Sequence, residues 1–277
     1  MRRFIFILAT ILSCPGLVSA QELEKVKGNR ELTIKQTYVD EFEKIVVGQD
    51  FEVELFYNKK PSVEIETDDN LHEYIEIQVV AGVLSLKSVG DIRPKQLNIK
   101  INYGETFKDI EVNDDAEIRS LTSLELTNAN LKTTGSSRAY LNIKADQFNF
   151  TALDKAKVKL NITANNASII MSDNARMDAL INAPETKIDL YQRVNANVEG
   201  TATNLTIRTD NDSQFDGKNF SVKNCTVNAE VSSEVTTEVM EQINIEASGS
   251  SEIYLYGNPK ITINRFTESA KLQKKEK

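Results

Sequence analysis

Phe148-Asn-Phe150-Thr-Ala-Leu-Asp-Lys-Ala156-Lys-Val158 is followed by Ala167-Ser-Ile169-Ile-Met-Ser-Asp-Asn-Ala175-Arg-Met177, and these two stretches decide the fold. In each, two apolar or small residues stand two apart. Six residues after the second comes a small residue, and two further on another apolar one. The frame returns as Thr186, Ile188, Val194, Ala196, then as Leu205, Ile207, Ser213, Phe215. It continues through Cys225, Val227, Ser233, Val235 and through Ile243, Ile245, Ser251, Ile253. Leu131 and Thr133 with Ala139 and Leu141 read as the first copy, and Ile261 with Ile263 opens a last partial one.

Copies spaced by about 18–19 residues, alternating with period two and lacking a helical period, each form one coil of a solenoid. At ~3.3 Å per residue such a coil has a perimeter of roughly 60 Å, and seven coils stacked at ~4.8 Å make a rod of about 35 Å. The predicted fold is therefore all-β: a parallel β-helix, one chain winding as a single-stranded solenoid, preceded by an N-terminal β-layer. One inward column is expected to run Thr133, Phe150, Ile169, Ile188, Ile207, Val227, Ile245, Ile263. A second, of small residues where the chain bends, runs Ala139, Ala156, Ala175, Val194, Ser213, Ser233, Ser251.

Upstream of the repeats, Phe51–Tyr57, Ser62–Glu66, Ile75–Val79, Val83–Lys87 and Leu97–Tyr103 alternate as strands, with Val80-Ala81-Gly82 as a hairpin turn. The N-terminus reads as an export signal: Arg2 and Arg3, an apolar run from Phe4 to Leu12, and small residues Val18-Ser19-Ala20 before Gln21. That run is too short to cross a bilayer of ~30 Å as a helix. Ile11-Leu12-Ser13-Cys14 loosely matches a lipidation motif, but Pro15 and the better site at Ala20 favour cleavage there over an anchor at Cys14.

Losing Arg2 and Arg3 takes the formal net charge from −8 to −10. An acidic surface of this kind repels phosphate backbones, so no nucleic-acid partner is expected. Only Lys271, Lys274, Lys275 and Lys277 cluster as bases. With Cys14 removed, Cys225 is the sole cysteine and no internal disulfide can form. Its inward position reads as a small buried hydrophobe rather than a reactive thiol.

His72 is the only histidine, so His-based metal sites are excluded, and its polar setting makes it a poor catalytic base. Corner acids Asp114, Asp115, Asp154, Asp173, Asp210 and Asp212 are the remaining candidates for calcium or glycosidase chemistry. Asp154, Asp173 and Asp210 occupy nearly the same corner. Tyr191-Gln192-Arg193 and Glu230-Val231 interrupt them, so no continuous acidic row is expected. Asn, Asp, Ser and Gly at corners serve turn geometry first. No catalytic, cofactor or metal residue is assigned, and no cofactor is expected.

Phe42-Glu-Lys-Ile-Val-Val47, Phe51-Glu-Val-Glu-Leu55, Asp69-Asn70-Leu71 and Gly82-Val83-Leu84-Ser-Leu86 resemble the opening of the head GIN domain. Ala247-Ser-Gly-Ser-Ser-Glu-Ile-Tyr-Leu-Tyr-Gly-Asn-Pro259 resembles its closing motif, and the likeness covers about residues 41–263. This copy has Asp-Asn or Glu-Val at turns where Ser-Gly is typical. The resemblance implies a β-helical envelope or surface protein of adhesin type, common in exported proteins of Bacteroidetes-type bacteria, with no catalytic residues to carry over.

The expected organisation is signal 1–20, leader 21–40, β-layer 41–107, β-helix repeats 108–264 and basic tail 265–277. The expected location is periplasm, outer membrane or cell exterior, with no transmembrane span in the mature chain. The expected partner is an extracellular or envelope glycan or protein, with a homo-oligomer as a further arrangement. A structural or assembly module of the periplasm or outer membrane is the alternative, and a polysaccharide-active enzyme the second. Mass spectrometry of the exported chain should find Gln21 at its N-terminus; a diacylglyceryl group on Cys14 would reverse that expectation.

Overall fold

The computed structural model describes residues 25–276, so the signal segment and Cys14 lie outside the described residues. The chain winds as a β-solenoid of about nine turns. Each long strand lies parallel to the one a coil later. Arg138–Ala152 pairs with Lys157–Met171, which pairs with Arg176–Asn182 and Glu185–Leu190, and both of these pair with Asn195–Thr209. Parallel ladders bury both strand edges, and alternate side chains enter the core.

The inward columns form, with one shift and with Ile263 at their end stacked on Ile245 but 50% exposed. Leu131 lies over Phe150, followed by Ile169, Ile188, Ile207, Val227 and Ile245, all nearly inaccessible to solvent. Thr133 pairs instead with Ala152, two residues away from its expected place. A slip of two keeps every side chain on its own face, so alternation alone could not detect it. The small column is buried throughout; the same shift puts Ser137 before Ala156 and moves Ala139 over Val158.

The β-layer expected at 41–107 is not set apart from the rod. Lys44–Val47 pairs in parallel with Asp109–Val112, and Glu52–Tyr57 with Glu117–Thr133, so the same two walls run through the boundary expected at 107/108. Beyond them the direction changes. Ile75–Val80 turns back on Val83–Ser88 through Ala81 and Gly82, both at positive φ, giving the predicted hairpin. Ser62–Asp68 lies antiparallel between Leu97–Tyr103 and Leu32–Tyr38, closing the other wall. Asp68 is fully buried and accepts the backbone N–H groups of Arg30 at 2.6 Å and Lys95 at 2.7 Å, fastening part of the expected leader to this end.

The basic tail expected from residue 265 belongs to the rod instead. Lys260–Phe266 pairs with the strand Glu234–Ala247, and Lys271–Lys274 with Glu252–Tyr256. A bulge at Asn264 inserts one residue, moving the small-then-apolar pair to Ala270 and Leu272. Leu272 continues the column through Ile253 and Val235. The frame was therefore present in the sequence but displaced by one residue.

Phe150 is enclosed between Leu131 and Ile169 and stacks with Phe148 at 6.4 Å between ring centroids. Phe150→Ala should lower unfolding stability by about 3–5 kcal/mol, read by denaturant melts followed by circular dichroism. The exposed Leu180→Ala should change it by about 0.5 kcal/mol or less.

Candidate functional site

Four of the corner acids, Asp114, Asp154, Asp173 and Asp212, are held by the coils themselves. Asp114, Asp154 and Asp173 all adopt left-handed backbone geometry. Asp154 accepts the N–H of Gly135 at 2.9 Å, and Asp173 accepts that of Asp154 at 3.2 Å and the Ser172 hydroxyl at 2.7 Å. Asp114 does the same for Gln49 at 2.8 Å. Each carboxylate thus satisfies a backbone donor of the coil before it, and the Ser172 hydroxyl leads in holding Asp173 below its ordinary pKa. Asp115 takes part through its backbone, donating to the Gln49 carbonyl at 3.0 Å.

Asp210 stands one position earlier than expected, aligned with Tyr191, while Asn211 and Asp212 take the left-handed places. Asp212 accepts the Ser232 hydroxyl. Among the described residues no three His, Cys, Asp or Glu side chains gather as a metal site.

His72 sits half-buried on the 3-10 turn Asp69–Tyr74, with Nε2 at 2.9 Å from the Thr33 hydroxyl. Asp69 bonds that hydroxyl at 3.2 Å rather than the imidazole, so the three side chains lack the order of a catalytic triad. Cys225 is fully buried, and burial pushes its thiol pKa up to about 12, with a small opposing pull from Thr237. Glu117 faces Arg138 at 2.7 Å and also Arg119. Burial alone would raise its pKa; the two guanidinium groups outweigh that and hold it low.

The best-formed concavity lies where head and rod meet. It encloses about 570 Å³ between the ends of Glu52–Tyr57 and Leu97–Tyr103, the loop after Tyr103, and the middle of Glu117–Thr133. An aromatic chain forms its floor. Tyr57, 52% exposed, meets Tyr103 edge-on at 5.8 Å; Tyr103 lies 4.8 Å from Phe107; Phe107 meets the buried Phe42 at 5.7 Å. Such ring packing fixes the exposed tyrosine on a rigid base.

Carboxylates surround this floor. Glu105 accepts the Tyr57 hydroxyl at 3.4 Å, and Glu41 accepts that of Thr106 at 3.3 Å. A Cβ on Gly104 would stand 2.4 Å from Glu41 Oε2, so glycine there lets the acid lie across the loop. Glu125 has an exposed ion pair with Lys144 at 3.6 Å, and Lys108 is held by Glu43 at 2.5 Å. Burial, followed by Glu125 and Tyr57, raises the Tyr103 pKa to about 12. Tyr57 is raised too, by desolvation and then by Glu105 and Glu41.

No motif singles out these residues in the sequence. Its available signal was Tyr103-Gly-Glu-Thr-Phe107, a polar loop between two aromatics where the alternating strands give way to the repeat. A second, wider concavity of about 580 Å³ runs along the rod beside Tyr140, Lys159 and Asp178. There the polar groups largely bond one another, as in Asn197 to Asp178 at 2.8 Å and Asn142 to the Ser120 carbonyl at 3.2 Å.

A parallel solenoid with an antiparallel head thus has an aromatic, carboxylate-rimmed groove at their junction. The chain belongs to the family described as "Putative auto-transporter adhesin, head GIN domain", whose model matches residues 41–180 and 154–259. The overlap of the two matches is what a repeat alignable in more than one register gives.

Solved structures share the fold. A "putative lipid binding protein" from Parabacteroides distasonis superposes with a TM-score of 0.63 at 17% identity, covering 91% of this chain and 99% of the other. A "putative adhesin" from Parabacteroides merdae gives 0.59 at 18%, covering 91% and 98%. Another from Parabacteroides distasonis gives 0.59 at 16%, covering 90% and 99%. No curated protein matches the chain.

Because the folded-state pKa of Tyr103 lies above the ordinary 10.0, its contribution is complete below pH 10 and is lost as pH rises toward about 12. Thermal melts across that window should show Tyr103→Phe losing less stability than the parent chain. Equal slopes would contradict the placement of this phenol.

Proposed function

We propose that this protein is an exported, non-enzymatic binding and adhesion module of the bacterial cell envelope, with the junction groove as its ligand site. Export rests on the N-terminal signal pattern. Among the described residues, no helix is long and apolar enough to cross a membrane. The adhesion reading is supported by the family to which the chain belongs. Its non-catalytic character agrees with Asp114, Asp154 and Asp173 engaged in turns and a Glu117 held by arginines.

One observation carries the assignment to the groove: the exposed Tyr57 ring beside Glu105 and Glu41, on a rigid aromatic floor. A tyrosine face packs against a sugar ring or an aliphatic stem, and carboxylates accept hydrogen bonds from hydroxyl or ammonium groups. The matching ligand is an extracellular glycan or a protein segment that presents such donors on an apolar body.

The test is a glycan array together with a panel of envelope and matrix proteins, probed with the mature chain. Tyr57→Ala should weaken any captured ligand by about tenfold or more, since exposed aromatic anchors dominate such interfaces. Glu105→Gln should weaken it less, and Tyr140→Ala on the rod face should leave it unchanged. A ligand that responds to Tyr140→Ala and ignores Tyr57→Ala would move the site to the rod.

A further inference from the structure

The wall that carries Tyr57 splits where it meets the first long coil. Residues 52–55 of the strand Glu52–Tyr57 pair in register with residues 117–120. Past Leu55 the two strands part. Phe56 and Tyr57 stay with Asn102 and Tyr103 of the head, while residues 123–126 stay with residues 142–145 of the next coil. The cause is local. Ser120, Leu121 and Thr122 span a step that Leu141 makes alone on the facing strand, and this bulge swings the chain off the head. Contact with the preceding coil resumes at Asn130, whose N–H donates to the Lys108 carbonyl at 2.9 Å.

Among the described residues, the stretch 121–129 therefore pairs with the coil after it and with no strand before it. Residues 161–163, at the same place two coils on, are paired along both edges. The open edge is internal to the chain, and the whole coil that precedes it is described. The leader enters at another corner, where Lys25–Lys27 lies along Asp91–Arg93 beside Gln49.

This edge forms one side of the 570 Å³ groove, which Ser123, Glu125, Leu126, Thr127 and Asn128 line. Six residues in strand geometry extend about 20 Å. Their unpaired N–H and C=O groups are matched in spacing by a second extended backbone, the basis of strand addition to a free edge. A sugar has no such two-residue repeat of donor and acceptor.

Side chains along the edge define what such a segment carries. Leu124 is sealed in the core and Leu126 packs partly buried against it, so Glu125 points outward between them. An added strand alternates likewise, one set of side chains over the Tyr103 and Phe107 floor and the other beside Glu125. The lining holds one cation, Lys108, already taken by Glu43 at 2.5 Å. Among the described residues Glu105 enters no ion pair, and the pair of Glu125 with Lys144 is largely exposed. Lys59 and Lys60 follow Tyr57 on the turn, outside the lining. Burial leads in raising the pKa of both tyrosines, and the carboxylates that add to it are Glu105 and Glu41 at Tyr57 and Glu125 at Tyr103.

We propose that the groove takes an extended protein segment as an added β-strand along residues 123–128, with an apolar side chain over the aromatic floor and a Lys or Arg drawn by Glu105 and Glu125. This rests on the groove being the ligand site, and it names the ligand class as polypeptide.

The probe is a phage-displayed library of random octapeptides, selected on the mature chain and counter-selected on Tyr57→Ala. Enriched sequences should alternate apolar and basic residues. The best of them, made synthetically, is titrated by calorimetry into the full mature chain. N-methylating alternate peptide amides should weaken binding by about tenfold or more for at least one of the two sets, because the amides of one set face the edge. Amide hydrogen exchange at residues 123–128 should slow by about tenfold or more at saturating peptide. Glu105→Gln combined with Glu125→Gln should weaken binding by roughly tenfold and flatten its salt dependence. Circular dichroism checks the fold of Tyr57→Ala; should it misfold, Thr127→Trp, which fills the groove from an exposed position, takes its place.

A Tyr57-dependent peptide that tolerates both N-methylated sets, or leaves exchange at residues 123–128 unchanged, would overturn strand addition and keep the groove. A library that enriches no peptide would overturn it as well, and a glycan captured through Tyr57 would then be the ligand. Binding of peptide or glycan that ignores Tyr57→Ala and Thr127→Trp would instead bring down the groove as the site.

Discussion

Each coil of this protein is held by its neighbour through an unbroken parallel ladder, and the inward columns depend on that contact. Ile188 packs well because Ile169 and Ile207 lie above and below it in register. Neither the coil's hydrogen bonds nor its apolar face can be satisfied by the coil alone, so stability accumulates between neighbours. A one-residue error in the ladder would turn every inward side chain toward water. The bulges near Gly217 and at Asn264 absorb extra residues outside the columns and leave the inward order intact.

The same constraint accounts for the corners. A chain that must turn at the same height in every coil needs left-handed residues stacked in a row. Here the row includes Asp114, Gly135, Asp154, Asp173, Gln192, Val231 and Gly249. At Gly135 and Gly249 the stacked turns approach so closely that a Cβ would collide with the backbone of the coil before, at 2.7 and 2.3 Å. At Asp154 and Asp173 a side chain fits and returns a hydrogen bond to that coil. Asp154 and Asp173, calcium candidates by sequence, are the ladder's own fasteners.

Where the regular stacking stops, surface becomes available for recognition. At the head the chain reverses into antiparallel strands, and the mismatch between that closed layer and the first long coil leaves the groove beside Tyr57 and Tyr103. Among the described residues, Ile261, Ile263 and Phe266 on the last coil are accessible. The regular middle, by contrast, consumes many of its outward amides in row-to-row bonds such as Asn204 to Glu185 and Asn224 to Asn204.

From the sequence alone come the all-β class, the coil length and the inward identity of Phe150, Ile169, Ile188, Ile207, Val227 and Ile245, because period-two alternation at a fixed interval admits one solution for side-chain facing. The sequence also determined that Cys225 is a core residue and that the acidic row is interrupted. Alternation has no memory of a two-residue slip, so the place of Leu131 over Phe150 was decided only by pairing in three dimensions. Continuity of the β-layer with the rod and the strand at Lys271–Lys274 were hidden for a related reason: bulges shift the frame without changing composition. The groove was the least legible feature. Tyr57, Glu105 and Glu125 are far apart along the chain, and only the meeting of an antiparallel head with a parallel rod places them around one floor.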